Sequence, residues 1–415
     1  MTTPKLEDLS DPDFDVFEIE RLSTGRCPDP YPRIDELMKQ GSVVQGSYRD
    51  QFTDVKDVQH GELPQVMVLG YEAVMHVLTH PEIFTNREAF LPSLGVAFGE
   101  SVSVMDAPDH TRYRKIFQKA FLPQTVSKWG ESVVDPVVNR LMDQFIHAGK
   151  ADLIEQFAHF YPFQVIYAQV ELEPEQAPVF HRLAIAQLLS SIGAPQGREA
   201  SRKLGTFFAE LLKQRRAAPG TDLISHLATV EVDGERLPDI VLISFLRQLM
   251  NAGGDTTFRG TSALLTGLLT NPDQLEAVKA DRGLVAQAID EALRWEGPVT
   301  STLRYASQDT EIDGVSIPQG TFINLVLASA NRDPRKFENP DCFDIFRDRK
   351  NRALAFASGP HLCIGQHLAK VEMSRALNAL LDKLPNLRLD PEMPPPQMIG
   401  HILRSPERLW VRFDT

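Results

Sequence analysis

The sequence predicts a mainly α-helical protein with a smaller β portion. Apolar residues recur at helical spacing in six stretches, whereas short strand-like runs bounded by Gly and Pro turns are few. The chain has 415 residues, of which 42% are hydrophobic, which is enough for a large core. No linker-like run and no internal repeat divides the sequence, so we expect one domain over residues 1–415.

The predicted elements change in character along the chain. Residues up to about 105 mix short strands with helices, among them a strand at Gln65–Leu69 and a helix at Tyr71–Thr79. Helices dominate the remainder, where a strand is expected at Glu311–Ile317 before a Pro/Gly turn. The predicted helices cover about residues 131–147, 176–192, 198–215, 238–270, 284–296 and 364–384.

Charge and cysteine content exclude several classes of protein. The net charge of −13 and a pI of about 5.4 argue against nucleic acid as a partner. The N-terminal residues are polar and acidic, so neither a signal peptide nor a membrane anchor is expected. Cys27, Cys342 and Cys363 form neither a disulfide framework nor a metal-ligand pattern. We therefore expect a cytoplasmic protein without membrane contact.

One of the three cysteines stands where a loop rich in Gly and Pro passes into a predicted helix. Cys363 lies near the positive end of that helix dipole, which favours thiolate over thiol. Gly359 and Gly365 remove side-chain bulk, so a large flat group could approach the backbone. A lone thiolate in such a place suits haem iron as an axial ligand. Taken alone, an isolated cysteine is far more often a small buried hydrophobe than a ligand; a zinc ligand would need a second Cys/His cluster.

The residues around Cys363 carry a longer pattern. From Phe356 to Glu372 they follow F-x-x-G-x-H-x-C-x-G-x-x-L-A-x-x-E, which resembles the haem-binding signature of the cytochrome P-450 monooxygenases. The resemblance implies one triangular, helix-rich fold around haem b, with Cys363 as the axial iron ligand in a loop at 356–365. One position departs from the family, which usually has glycine where this chain has Ala357. Alanine tolerates positive φ poorly, so the resemblance does not decide the geometry of the turn at Ala357.

The long predicted helix contains the sequence A-G-G-D-T-T in its middle. Two glycines inside a helix cost about 1 kcal/mol each relative to alanine, and a kink would be their simplest explanation. The sequence resembles the oxygen-binding motif A-G-x-D-T-T of the same family. The resemblance implies that Ala252 and Gly253 leave room for O2, while Asp255 and Thr256 form the acid–alcohol pair that supplies protons. Gly254 is less usual there, and we expect it to widen the groove.

Two further sets of residues match the family. Glu291 and Arg294 form an E-x-x-R pair, which is common on exposed helices and uninformative by itself. The resemblance implies a structural ion pair that is completed by Arg347 and supports folding and haem loading. It also implies that haem propionates are bound by side chains in four places. These side chains are His110, Arg114, Arg304 and His361.

The resemblance implies a monooxygenase that uses O2 and two electrons to insert one oxygen atom into a small apolar substrate. We expect a terpenoid or alkyl-aromatic compound; a steroid or fatty acid is the alternative. The chain has no glycine fingerprint for flavin or NAD, so electrons are expected from a ferredoxin with its ferredoxin reductase. A monomer is expected. A peroxide-driven haem enzyme would not need the pair Asp255 and Thr256, and a non-catalytic haem-binding sensor would need neither that pair nor a substrate channel.

The substrate pocket is expected to be apolar, because an unpaired charge would be costly to bury there. The hydroxyls of Thr300 and Thr302 could orient one polar group of a substrate. About a third of the predicted pocket residues should instead belong to the core. The residues predicted to line the pocket are Phe90, Leu94, Phe98, Leu189, Met250, Val299, Thr302 and Leu403.

Overall fold

The β portion of the protein consists of one five-stranded sheet and smaller pairings. The computed structural model describes residues 4–19, 27–53, 60 and 63–415. Its strands are β1 (Val43–Gln45), β2 (Gln65–Val68), β3 (Phe84–Thr85), β4 (Lys150–Asp152), β5 (Ser301–Ala306), β6 (Thr310–Ile312), β7 (Val315–Ile317), β8 (Phe322–Val326), β9 (Arg388–Leu389), β10 (Met398–Ile399), β11 (Ser405–Pro406) and β12 (Trp410–Arg412). The sheet order is β1-β2-β8-β5-β3, in which only β2 and β8 are parallel. Strands from both ends of the sequence thus meet in one sheet.

Helices make up most of the chain, as predicted. The α-helices of at least five residues are Tyr31–Met38, Tyr71–Thr79, Asp109–Ala120, Pro123–Trp129, Asp135–Met142, Tyr161–Gln169, Ala177–Leu188, Pro195–Ala217, Leu223–Thr229, Asp239–Thr270, Pro272–Ala280, Val285–Trp295, Leu327–Asn331 and Gln366–Lys383. Between them lie the five-residue π-helical segments Leu91–Gly95, Gly130–Val134 and Ile154–Ala158 and shorter helical turns. None of the helices in the described ranges is long and apolar enough to cross a membrane.

Two predicted elements differ from the structure. The helix expected at 131–147 is part of a helical run from Pro123 to Met142, and turns follow it. The strand expected at Glu311–Ile317 is a hairpin of β6 and β7, because Asp313 and Gly314 both have positive φ, 49° and 78°. A tight two-residue hairpin turn requires that conformation, and Asp-Gly is a preferred sequence for it.

The 32-residue helix Asp239–Thr270, called the long helix below, runs between two apolar clusters. Its first half, including Leu242 and Met250, packs with the helices Ala177–Leu188 and Pro195–Ala217. Its second half, including Leu265, packs with the helices Val285–Trp295 and Gln366–Lys383. The long helix therefore joins the two parts of the core, and its surface shape decides how closely the neighbours approach.

Glycines in the long helix allow close contact with aromatic rings. A Cβ on Gly254 would lie 2.5 Å from the ring of Phe163, and a Cβ on Gly267 would lie 2.6 Å from Cε2 of Phe343. Real Cβ atoms do not approach other atoms so closely, and both positions are buried. Gly254 thus makes room for a packed phenylalanine, and the expectation that it widens a groove is wrong.

We predict that Gly267→Ala lowers the free energy of unfolding by about 1–3 kcal/mol, because overpacking displaces Phe343 from its site. The measurement is the urea dependence of secondary structure by circular dichroism. Gly205→Ala is the matched control in the helix Pro195–Ala217, where the nearest atom to an added Cβ lies 3.6 Å away. The control should gain about 1 kcal/mol from helix propensity. Equal effects of the two substitutions would contradict the close packing at Gly267.

Candidate active site

Cys363 lies at the end of the loop that precedes the helix Gln366–Lys383. Its backbone N–H donates to the carbonyl of Phe356 at 3.0 Å, which closes the loop. The side chain keeps accessible surface, yet protein atoms surround it on most sides, as expected for the base of a cleft. Burial raises the pKa of the Cys363 thiol, and the N–H groups of Gly365 and Gln366 lower it by less. The helix end therefore does not by itself favour the thiolate; coordination to a metal ion would.

Two small residues shape this loop in different ways. Ala357 has φ of 56°, so the chain keeps the left-handed conformation that glycine usually provides. Gly359 has φ of 70°, and a Cβ on it would overlap the carbonyl oxygen of Leu78. Gly359 is thus needed for contact with the end of the helix Tyr71–Thr79, which differs from the predicted role of admitting a flat group. At Gly365 only the Sγ of Cys363 lies within 4 Å of an added Cβ, so the space there is open.

Four nitrogen-bearing side chains converge beside Cys363. The rings of His110 and His361 lie 4.0 Å apart between centroids. Arg114 donates to the carbonyl of Leu362, and Arg304 is fully buried on β5. Burial and the neighbouring positive charges lower the pKa of His110 to about 4 and that of His361 to about 2. Burial lowers the pKa of Arg304 to about 10. The structure thus brings together the four residues that the sequence predicted to lie around one anionic group.

This cluster fits the carboxylates of haem. Among the described residues neither Arg114 nor Arg304 forms an ion pair, and the buried Nε2 of His110 has no hydrogen-bond partner. The nearest carboxylate is Asp106, 3.9 Å from Nε2 of His361, and its oxygens also accept from the backbone of Asn86 and Arg87. A buried excess of cationic and donor groups needs an external anion. The two propionates would supply that charge directly beside the cysteine.

The long helix carries the predicted acid–alcohol pair. The hydroxyl of Thr256 donates to the carbonyl of Ala252 at 2.7 Å, and Ala252 is exposed although most of this helix is buried. The carboxylate of Asp255 accepts from Nε of Arg259 at 3.0 Å to each oxygen. Gly253 is half-buried and packs against Ile166. Thr256 and Ala252 therefore share one helix face. Asp255 is paired with Arg259, which lies one helical turn further along the chain.

The E-x-x-R residues form a closed network. Arg294 donates to both oxygens of Glu291 at 2.8 and 2.7 Å, and Nε of Arg347 lies 3.2 Å from each of these oxygens. Arg294 also donates to the carbonyls of Asn331, Pro340 and Cys342, so its charge is buried with full hydrogen bonding. The network ties the helix Val285–Trp295 to the segment ahead of the cysteine loop.

A second buried ion cluster was missed from the sequence. Glu296 accepts from Arg404 at 2.7 Å and from Arg332 at 3.1 Å, and the guanidinium of Arg332 lies 3.3 Å from the ring centroid of Tyr31. Its members come from four separate parts of the chain, so no local spacing marks them. The only sequence signal is the position of Glu296 directly after the E-x-x-R helix.

The predicted pocket residues divide into two groups. Phe98, Leu189 and Met250 are 2%, 2% and 0% exposed and belong to the core, so assigning them to the pocket was wrong. The hydroxyl of buried Thr300 donates to the carbonyl of His401 at 2.5 Å and is not free for a ligand. Phe90, Leu94, Val299, Thr302 and Leu403 keep accessible surface, and Val299 pairs with Leu403.

Comparison with known proteins assigns the family. The model of the family described as cytochrome P-450 matches residues 196–413. The chain belongs to the cytochrome P-450 family. The cytochrome P-450 monooxygenase PikC of Streptomyces venezuelae is 32% identical over 383 residues, 90% of this chain and 88% of that protein. The pulcherriminic acid synthase of Bacillus subtilis is 30% identical over 386 residues, with 89% and 95% covered.

Solved P-450 structures confirm the fold class. The structure of CYP109E1 from Bacillus megaterium in complex with testosterone has a TM-score of 0.80 and 25% identity, and the match covers 93% of this chain and all of that one. This protein is thus an oxidoreductase of the P-450 monooxygenase type, whose family uses haem and O2. The roles of its individual site residues, the single domain over 1–415, the cytoplasmic location and the monomeric state stay predictions.

We predict that Ala357→Gly raises the free energy of unfolding by about 0.5–1 kcal/mol, because glycine removes the steric cost of positive φ. Urea titration of the haem-loaded protein, followed by circular dichroism, measures the change. Ala355→Gly is the control in the same loop, since Ala355 does not have positive φ and packs against the core. The control should lose stability, and a loss in Ala357→Gly as well would contradict the strained turn.

Proposed function

We propose that this P-450 inserts one oxygen atom of O2 into a compact apolar substrate, with Cys363 as the haem ligand. The observation that carries the proposal is the convergence of Cys363 with His110, Arg114, Arg304 and His361 from three separate segments of the chain. When bound, haem supplies the iron at which O2 is reduced. Cys363 would hold the iron, and the four cationic or donor side chains would hold the propionates.

The residues of the long helix would supply protons. Thr256 donates its hydroxyl proton to the carbonyl of Ala252, which leaves the oxygen lone pairs available on the exposed side of the helix. The carboxyl group of Asp255 contacts Nε of Arg259 at 3.0 Å, and Asp255 lies next to Thr256 in sequence. An ionised acid can accept a proton from solvent and pass it on, whereas Thr256 fixes the point of delivery. This pair also disfavours a peroxide-driven enzyme, which has no need of protons from it.

The apolar side chains of the cleft support a hydrocarbon-rich substrate. Phe90, Leu94, Val299 and Leu403 keep accessible surface, and none of them could pair with a charge. Terpenoid and alkyl-aromatic skeletons have that character. A steroid is the second candidate, because the similar CYP109E1 was solved with testosterone.

A ferredoxin with its reductase is the proposed electron source. Bacterial members of the family typically use such partners, and the chain has no fingerprint for flavin or NAD. Basic side chains near the cysteine loop are partly neutralised: Arg349 pairs with Asp290. Lys115 and Arg352 are exposed and, within the described ranges, pair with no carboxylate, so they could meet an acidic partner.

Replacement of the proposed iron ligand tests the reaction class. The reduced protein with carbon monoxide should show the strongly red-shifted Soret band of a thiolate ligand, and Cys363→His should abolish it because imidazole replaces the thiolate. The controls Cys27→Ser and Cys342→Ser should retain the band. A band that survives in Cys363→His would refute the ligand assignment.

Replacement of the proposed proton donor tests the chemistry. With electrons from a bacterial ferredoxin and its reductase, Thr256→Ala should still consume NADH and bind substrate but release most of the oxygen as peroxide. Thr257→Ala, which lies on the buried side of the same turn, is the control and should stay coupled. Peroxide is quantified against NADH consumed. Full coupling in Thr256→Ala would contradict the role, and equal rates without ferredoxin would contradict the partner.

A further inference from the structure

A polar strip runs along the long helix on the N-terminal side of the oxygen motif. Ser244, Arg247, Gln248 and Asn251 recur at three- and four-residue spacing and therefore lie along one side of the helix. Asn251 is buried and bonds to Gln187 at 2.7 Å, and Arg247 donates to the hydroxyl of Ser201 at 3.0 Å. The predicted pocket contained only apolar residues and hydroxyls. A polar strip so close to the motif requires its own explanation.

Two serine hydroxyls fix the side chain of Gln248 in position. Its Oε1 accepts hydrogen bonds from the hydroxyls of Ser101 at 2.7 Å and Ser103 at 2.8 Å. Two donors satisfy both lone pairs of an amide oxygen. The orientation of the side-chain amide is therefore set before any ligand arrives, and its NH2 group points away from the two serines.

The amide NH2 of Gln248 is left with unused donors. Within the described ranges Nε2 of Gln248 has no acceptor, although the residue is half-buried. Gln248 lies four residues before Ala252 and eight before Thr256, so the three side chains share one face of the helix. Leu249 beside it is also half-buried. The donors thus lie on the same helix face as the proposed proton-delivery residue.

The serines that hold Gln248 belong to a loop tied at its base. The carboxylate of Asp106 accepts from the backbone N–H groups of Asn86 and Arg87 at 2.9 Å each. Between these points the loop, residues 86–106, contains Phe90 and Leu94, which are partly exposed and belong to the proposed pocket. Gln248 therefore contacts the same loop that contains the proposed apolar pocket residues. In ligand sites, one polar group in an otherwise apolar wall fixes the orientation of the ligand.

We propose that Gln248 donates a hydrogen bond from Nε2 to a carbonyl or hydroxyl oxygen of the substrate. The preferred substrate is then an oxygen-bearing terpenoid or steroid, and the parent hydrocarbon binds less well. The inference rests on the proposed monooxygenase function and specifies its substrate class. A net hydrogen bond of about 0.5–1.5 kcal/mol corresponds to a two- to twelve-fold preference.

Matched ligands test the proposal. Spin-state titrations with menthone and p-menthane, and with androstan-3-one and androstane, compare each ketone with its hydrocarbon. In the unaltered protein at least one ketone should bind several-fold more tightly than its hydrocarbon. In Gln248→Leu the affinity for the ketone should fall two- to twelve-fold. The affinity for the hydrocarbon should stay the same or rise, because the pocket wall becomes apolar.

Two controls separate hydrogen bonding from loop packing. Ser101→Ala weakens the attachment of the loop but keeps the amide, so the preference for the ketone should remain. Gln187→Leu removes a fully buried amide that bonds to Asn251 of the strip, and it should leave the ketone preference unchanged. Equal weakening of ketone and hydrocarbon in Gln248→Leu, or no ketone preference in the unaltered protein, would overturn the proposal.

The outcome is distinguishable from failure of the proposed function. Absence of the red-shifted carbon monoxide band from the unaltered protein would refute the haem-thiolate function. An intact band without any discrimination between ketone and hydrocarbon would refute only the role of Gln248.

Discussion

The excess of buried positive charge beside Cys363 is the constraint on which the site depends. Arg304 is on β5, His110 and Arg114 are on the helix Asp109–Ala120, and His361 precedes the cysteine. These groups approach one another only in the folded chain, where they repel and lose hydration. A dianionic ligand reverses that cost. Because such a ligand binds only the folded state, its affinity is added to the stability of the fold.

Two other buried ion clusters, around Glu291 and Glu296, compensate their charges internally. Glu291 and Glu296 each hold two arginines, and every arginine among them also donates to backbone carbonyls. Such networks are costly to break because an unpaired buried charge would remain. They join the helix Val285–Trp295 to the segment ahead of the cysteine loop and to Arg404, directly ahead of β11, which contacts the long helix. These charge-balanced networks thus help to position the segments that carry the unbalanced cationic cluster beside Cys363.

The sequence was informative wherever local chemistry decides the outcome. Helical periodicity located the long helix within one residue, and motif spacing named the residues that converge on Cys363. It failed where the neighbour is distant. Gly254 meets Phe163, about ninety residues earlier in the chain, so its role could not be deduced from its motif. Apolar residues suit core and pocket alike, which explains why Met250 was misplaced. Gln248 was overlooked because its partners lie in another segment.

The tied base of the loop 86–106 has a consequence for how this enzyme could diverge. Asp106 holds the ends of the loop, and Nδ2 of Asn86 lies 3.1 Å from Nδ1 of His361. The anchoring contacts therefore reach the proposed propionate cluster, while the stretch between them includes Phe90 and Leu94 of the proposed pocket as well as buried core residues such as Phe98. We therefore expect substitutions at exposed positions between the two anchors to disturb the cationic cluster less than substitutions at Asn86 or Asp106 themselves.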